Sequence, residues 1–257
     1  MENTRELATL GRSWRLLRSF RHEQTRPDIF YGGLATDTAA QVQALADDAG
    51  VDMTGARVLD VGGGPGYFAE AFARRGAHYY GLEPDVGEMA AAGIKVAQAV
   101  RGDGTALPFA TDSFDIVYSS NVAEHIPNPW EMGAEMLRVT RPGGLIIMSY
   151  TVWLGPFGGH ETGLWAHYIG GDFARRRYIR KHGKEPKNIF GSSLFALSCR
   201  EGLDWARKLS EAGYEVIGTF PRYHPQWAWW LTAVPGLREL AVSNLVIAAI
   251  KRFPPAP

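Results

Sequence analysis

Apolar and polar positions alternate between two rhythms along the chain. Short apolar runs closed by glycine, proline or an acid predict strands at Arg57–Val61, His78–Leu82, about Lys95–Val100, Phe114–Tyr118 and Leu145–Tyr150. Between them, helical spacing runs from Tyr67 to Arg75, through Glu88–Ala92 and over Pro129–Val139. Strands alternating with helices across short loops predict an α/β fold: a doubly wound, mostly parallel sheet with helices on both faces. A later helix, Glu201–Ala212, precedes two more strands, Tyr214–Phe220 and Ser243–Ile250. The spacing leaves no full crossover pattern for this pair, so the seven-stranded sheet is expected to carry an antiparallel edge strand.

The flanks break this rhythm. Leu7, Leu10, Trp14, Leu17 and Phe20 form an apolar stripe at helical spacing, with Arg12, Arg15, Arg18 and Arg21 interleaved. A helix packing through its apolar stripe, basic face in solvent, is the favoured reading; a helix lying on acidic lipid is the second. Thr36 or Asp37 caps a helix running to Ala49, and Phe30–Leu34 before it reads as a loop, either a ligand lid or a simple connection. Residues 151–198 show no clear period, and so long a stretch points to a lid or substrate region. The expected division is a helical cap at 1–50, a ligand-binding core at 51–150, a substrate-covering insertion at 151–199, and the end of the same sheet with an aromatic connector at 200–257.

Composition narrows the functions. The 257 residues carry 27 basic and 27 acidic side chains, and this zero net charge argues against a dedicated nucleic-acid binder. A single cysteine, Cys199, excludes an internal disulfide and a multi-cysteine zinc site. The charged start has no signal-peptide core, the tail Pro254–Pro257 is the one low-complexity tract, and no apolar run approaches the ~20 residues of a membrane span. The expectation is a soluble, cytoplasmic protein, with peripheral contact to a membrane surface left open along with the oligomeric state.

The chemistry centres on Val58-Leu59-Asp60-Val61-Gly62-Gly63-Gly64-Pro65-Gly66, a buried strand running into a glycine-rich turn and then a helix. Gly64-Pro65-Gly66-Tyr67-Phe68-Ala69 matches a degenerate dinucleotide fingerprint, and Glu83 ends the second strand where an acid holds a ribose. A nicotinamide-dependent oxidoreductase is therefore one candidate. Asp60 favours another: a carboxylate just before the turn suits a ligand's positive end, or orders the loop through its N–H groups, and is poorly placed beside a pyrophosphate.

Five motifs in order extend this pattern over residues 55–150: the glycine turn; Glu83-Pro84-Asp85; Gly102-Asp103-Gly104 through Leu107-Pro108-Phe109; Phe114-Asp115 with Glu124-His125-Ile126; and Leu137-Arg138-Val139 with Arg141-Pro142-Gly143-Gly144. Together they resemble the class I methyltransferases that use S-adenosyl-L-methionine, in the small-molecule branch and close to an uncharacterised actinobacterial subgroup. The resemblance implies a Rossmann-like sheet and a role for each matching position. Gly62, Gly64 and Gly66 shape the turn against the cofactor's methionine part, and Asp60 steadies that loop. Glu83 takes the ribose hydroxyls. Asp103 accepts from the adenine amine beside the Gly104 backbone, Asn121 lines the methionyl end, and Tyr31 closes over the cofactor. Taken singly, Asp103 reads equally as a turn-capping aspartate and Glu83 as an acid near a helix N-terminus.

For a general base, His125 after strand four and His160 in the post-strand-five region are the candidates, with His167 and His224 behind them; each also reads as a structural or surface histidine. No recognisable ligand spacing accompanies them, so no metal is expected. Trp153–Phe157, Trp165, Tyr168 and the Tyr223–Leu231 stretch with Trp227, Trp229 and Trp230 lean toward a hydrophobic or lipid-like small-molecule acceptor; core packing is the plainer reading. The run Arg175–Lys184 reads as a solvated helix face or a contact for anionic lipid or phosphate. A non-catalytic binding protein on the same fold is the remaining alternative.

Overall fold

Seven strands hydrogen-bond in the order β3-β2-β1-β4-β5-β7-β6 in the computed structural model. The structure describes residues 1–20, 26–90, 93–94 and 96–252. The expected Arg21, the end of the second core helix at Ala91 and Ala92, the strand start at Lys95 and the tail Pro254–Pro257 lie outside the described residues.

The strands are β1 (Arg57–Val61), β2 (His78–Glu83), β3 (Ala99–Arg101), β4 (Phe114–Ser120), β5 (Thr140–Thr151), β6 (Glu215–Pro221) and β7 (Asn244–Ile250). The pairs β1–β2, β1–β4, β2–β3 and β4–β5 are parallel. The expected reversal is present: β7 runs antiparallel to both β5 and β6, one position in from the edge that β6 forms. β5 starts earlier than its apolar run because Thr140 already pairs with Phe114. Arg141–Gly144 then bulges out before Leu145 resumes pairing opposite Ile116.

Side-chain alternation splits the core into two layers. Leu59, Val61, Val117, Ile146 and Met148 face one side, under α6 (Pro129–Val139) and α8 (Cys199–Glu211). Val58, Ile116, Tyr118 and Ile147 face the other, under α3 (Pro27–Ala49) and α4 (Phe68–Ala73). Helix α8 opens on a full capping box, Ser198 with Glu201, which fixes its start two residues ahead of the apolar period.

Three expectations for the flanks are corrected. Phe30–Leu34 is not a loop: α3 runs unbroken from Pro27 to Ala49 and ends on the left-handed Gly50. Gly32 and Gly33 cost the helix about 1 kcal/mol each, and burial of Phe30, Leu34 and Ala35 outweighs that. The N-terminal helix is two, α1 (Glu2–Leu7) and α2 (Leu10–Ser19), parted at Thr9, whose hydroxyl accepts from the N–H of Arg12. The packing of α2 also differs: Arg12 and Leu16 turn inward, while Arg15 and Arg18 stay exposed. Arg12 is 3% exposed, whereas Leu10 and Trp14 are 63% and 58% exposed. The cause is Asp37 on α3, which accepts from Arg12 Nε and Nη2 at 2.7 Å each and so selects the face turned inward. The aperiodic stretch contains α7 (Gly171–His182), which carries most of the basic run read as a helix face; α5 (Val86–Ala90) and α9 (Leu237–Ala241) complete the helices named here.

Candidate active site

The C-terminal ends of β1, β2, β3, β4 and β5 lie along one edge of the sheet, where open α/β sheets bind ligands. β1 delivers Gly62–Gly66 to this edge. Gly62, Gly64 and Gly66 all have positive φ. At Gly62 the reason is also steric: a Cβ there would stand 2.3 Å from Cγ2 of Val122. The N–H groups of Gly62 and Gly63 both donate to Leu82 O, at 2.8 and 3.1 Å. Above Gly64 a Cβ would meet nothing, so the turn is open on that side.

Glu83 closes the turn from β2. Its Oε2 accepts from Gly64 N at 3.1 Å and its Oε1 from Asp85 N at 3.2 Å. Its backbone carbonyl accepts from Gly102 N at 3.3 Å, drawing in the turn that bears Asp103 and Gly104. Asp103 caps that turn: Oδ1 accepts from Thr105 N and Thr105 Oγ1, both at 2.8 Å. Gly104 is buried, with its Cβ position 3.2 Å from Val61 and 3.3 Å from Met132. Asn121 follows β4 in a left-handed conformation (φ 58°), and its Oδ1 accepts from Asn244 Nδ2 at 2.6 Å. Tyr31 projects from α3, not from a loop, and stacks on Tyr67 just beyond Gly66, ring centroids 5.3 Å apart. The expected cofactor residues thus form one connected rim.

Asp60 takes a different place from the one its sequence position suggests. Strand alternation turns its carboxylate beneath the turn, where Oδ2 accepts from Tyr79 Oη at 2.7 Å and Tyr118 Oη at 2.5 Å. Its partners are tyrosine hydroxyls, not loop N–H groups. Burial raises its pKa to about 7 against those two hydrogen bonds. Neither tyrosine was singled out from the sequence. Their signal was two tyrosines at same-face positions of buried strands flanking an acid, with Gly81 opposite Asp60 leaving room for the Tyr79 ring.

The candidate bases lie on the segments that follow β4 and β5. Ala123–His125 forms a short 3₁₀ turn, and His160 begins another. Their rings meet edge to face at 5.1 Å. His125 Nδ1 lies 2.7 Å from Ser193 O, and His160 Nδ1 3.1 Å from Gly158 O. His167 is buried with Nε2 3.1 Å from Gly155 O, and burial lowers its pKa, as it does that of His224. Sequence reading also passed over Arg222. It is fully buried beyond the end of β6, donating to Ser120, Ser149 and Thr38 hydroxyls. The Trp stretch divides: Trp229 stacks on Phe220 at 4.5 Å, while Trp227 and Trp230 are 68% and 56% exposed.

The family model described as a methyltransferase domain matches residues 59–148. An "Uncharacterized methyltransferase" of Mycobacterium avium is 61% identical over 245 residues, covering 93% of this chain and 95% of that protein. The chain belongs to the methyltransferase family. A second such methyltransferase, from Mycobacterium marinum, is 60% identical over 250 residues and covers 95% and 96% of the two chains. A solved S-adenosylmethionine-dependent methyltransferase from Mesorhizobium loti shares the fold at 21% identity, TM-score 0.52, covering 82% of this chain and 97% of that one. The methyltransferase match of residues 59–148 takes in the glycine turn, Glu83, Asp103, Asn121 and His125, and leaves His160 outside it.

Proposed function

We propose that this methyltransferase takes its methyl group from S-adenosylmethionine and passes it to a small hydrophobic or lipid-like acceptor. The observation that carries the cofactor assignment is the join of Glu83 to Gly64 N at 3.1 Å. It puts a half-buried carboxylate against an open glycine turn at the C-terminal edge of the sheet. A diol such as ribose suits a carboxylate at this position. The remaining rim is consistent with the same ligand: Asp103 with the Gly104 backbone for the adenine, Asn121 for the methionyl end, and Tyr31 stacked on Tyr67 as cover.

The cofactor supplies a methyl group already activated by a sulfonium charge. What is left to the chain is to orient the acceptor in line, keep water out and, for an oxygen or nitrogen acceptor, remove a proton. His125 and His160 are the side chains for the last task. Their Nδ1 atoms face backbone carbonyls, so Nε2 carries the lone pair in each neutral ring. Trp165, Leu164 and Ile169 stand exposed in the segment after β5, which favours an apolar acceptor. On α2, the outward Leu10, Trp14 and Leu17 with exposed Arg15 and Arg18 have the character of an interfacial helix. Among the described residues no helix is long and apolar enough to cross a membrane.

Calorimetric titration with S-adenosylmethionine, its demethylated product and NAD, on wild type and Asp103→Ala, tests the assignment. Micromolar binding of the first two, weakened in the variant, is expected. Binding of NAD in their place would overturn the assignment in favour of an oxidoreductase. Tight cofactor binding with no turnover across an acceptor panel would instead identify a binding protein on this fold.

A further inference from the structure

We infer that Glu124, His125 and His160 form a binding site for a divalent transition-metal ion. One ligand atom from each of the three lies within 4.8 Å of the others. Two imidazoles and a carboxylate are a donor set suited to Zn²⁺ and its first-row neighbours, and three protein ligands leave a position for water or acceptor.

Each residue is prepared for this in a way its packing alone does not explain. Glu124 is 1% exposed. Its Oε1 accepts from Thr151 N at 3.1 Å, while Oε2 is buried with no hydrogen-bond partner. Among the described residues no basic side chain forms an ion pair with it. A buried carboxylate oxygen left in that state carries a full desolvation cost, and a cation removes it. The two histidines have their Nδ1 atoms fixed on backbone carbonyls, the outer-shell arrangement that holds a ring's orientation and presents Nε2 to a metal. His160 lies in the left-handed region at φ 46°, which sets the direction in which its side chain leaves the turn. Phe195 N donates to Glu124 O at 2.8 Å and His125 faces Ser193 O, so one segment braces both.

Seating an ion at about 2.1 Å from each donor draws together three ligand atoms that now lie within 4.8 Å of one another. The site lies after β4 and faces the segment that follows β5. Its place at the acceptor end rests on the methyl-transfer reading; its ability to bind metal does not, and an ion held on Nε2 of His125 and His160 takes the lone pairs that proton removal would use, so the metal-loaded site and the histidine base are alternatives. Sequence spacing gave no sign of it, because His160 comes 35 positions after His125 and on a separate turn.

The test is titration of the metal-stripped full chain with Zn²⁺ alone, with Co²⁺ absorption as a second signal. The variants are His160→Asn, which tolerates the left-handed backbone, His125→Gln, which keeps a donor for Ser193 O, and Glu124→Gln. One equivalent of Zn²⁺ bound at micromolar or tighter Kd is expected, weakened at least tenfold in each variant. Zn²⁺ should also protect His125 and His160 of the wild type from diethylpyrocarbonate, mapped by mass spectrometry, which needs no variant to fold. No stoichiometric binding, binding unchanged in all three variants, or absence of protection would overturn the site. Binding of the demethylated cofactor, measured in the same samples without metal, reports on the methyl-transfer reading separately.

Discussion

Tyr118 and Asp60 stand side by side in register on β4 and β1, and the phenol donates to the carboxylate at 2.5 Å beneath the glycine turn. Tyr79 reaches the same oxygen from β2. The acid is thus held by two neutral donors in a fully buried layer, and its proton is retained up to about pH 7. In the unfolded chain it ionises near the ordinary value of 3.8. Between those two values the folded state carries the extra proton, so raising the pH through that window lowers stability. Below it and above it the effect is flat. We expect Asp60→Asn to lose this slope. Urea unfolding at intervals from pH 4 to pH 8 should show the wild type falling relative to the variant by a few kcal/mol, on the scale of about 1.4 kcal/mol per pKa unit. Parallel curves would contradict this account of the carboxylate.

Glu83→Gln separates binding from folding. The amide still offers an oxygen to Gly64 N but turns its NH2 toward Asp85 N, so a stability loss of about 1–2 kcal/mol is expected. A charged acceptor for a diol is lost, and binding of the demethylated cofactor should weaken about tenfold to a hundredfold. Calorimetry against a denaturation curve reads both at once.

Gly62→Ala puts a methyl group against Val122 in a backbone with φ 86°. Both strain and overlap oppose it, and a loss of roughly 2–4 kcal/mol is expected. Adding Val122→Ala should return only part of that loss, because space is restored and the dihedral is not. Full recovery in the double variant would show that the conformation at Gly62 is not demanding.

The pair Arg12–Asp37 is nearly dry, with side chains 3% and 9% exposed. Arg12→Ala strands Asp37 and also drops the bond to Arg222 O, 2.9 Å away. The expected cost is about 3–5 kcal/mol. Asp37→Asn should cost less, since it keeps an acceptor for the guanidinium. Thermal unfolding of the two variants would rank them.

The aromatic connector gives an internal comparison. Trp229→Ala removes a ring stacked on buried Phe220 and should cost on the order of 2 kcal/mol or more. Trp227→Ala and Trp230→Ala should stay within about 0.5 kcal/mol. If those two exposed rings serve a lipid-like acceptor, their removal lowers activity on long-chain substrates or binding to anionic vesicles without touching the melting curve.

Much of the fold could be read from periodicity because its strands are apolar and end on residues with strong backbone preferences. β1 runs Arg57–Val61 and α6 Pro129–Val139, as their patterns predict. Reading failed where tertiary contacts overrode local signals. The start of α3 hid behind Gly32 and Gly33. The stripe on α2 looked like a packing face, and one acid on a different helix turned it outward. At the site, residues on the first three motifs and Asn121 after β4 converge as one rim, since their spacing is fixed by the strands that carry them, whereas Asp115 and Arg141 meet at the opposite edge of the sheet. Tyr79, Arg222 and the meeting of Glu124 with His160 depend on which strands and turns become neighbours, and no short-range pattern records that.

β7 lies between β5 and β6 although it comes after both in the chain. β6 therefore has no neighbour until β7 has been made, and it joins the sheet only through β7. A chain shortened anywhere before Asn244 would not simply lose a trailing segment. It would leave the twelve-residue β5 with a bare, apolar edge, and β6 with nothing to pair with. Such an edge recruits strands from other molecules. Truncation from this end should thus be read out as aggregation rather than as a smaller working enzyme, and any added sequence is better placed beyond β7 than within reach of its ladder.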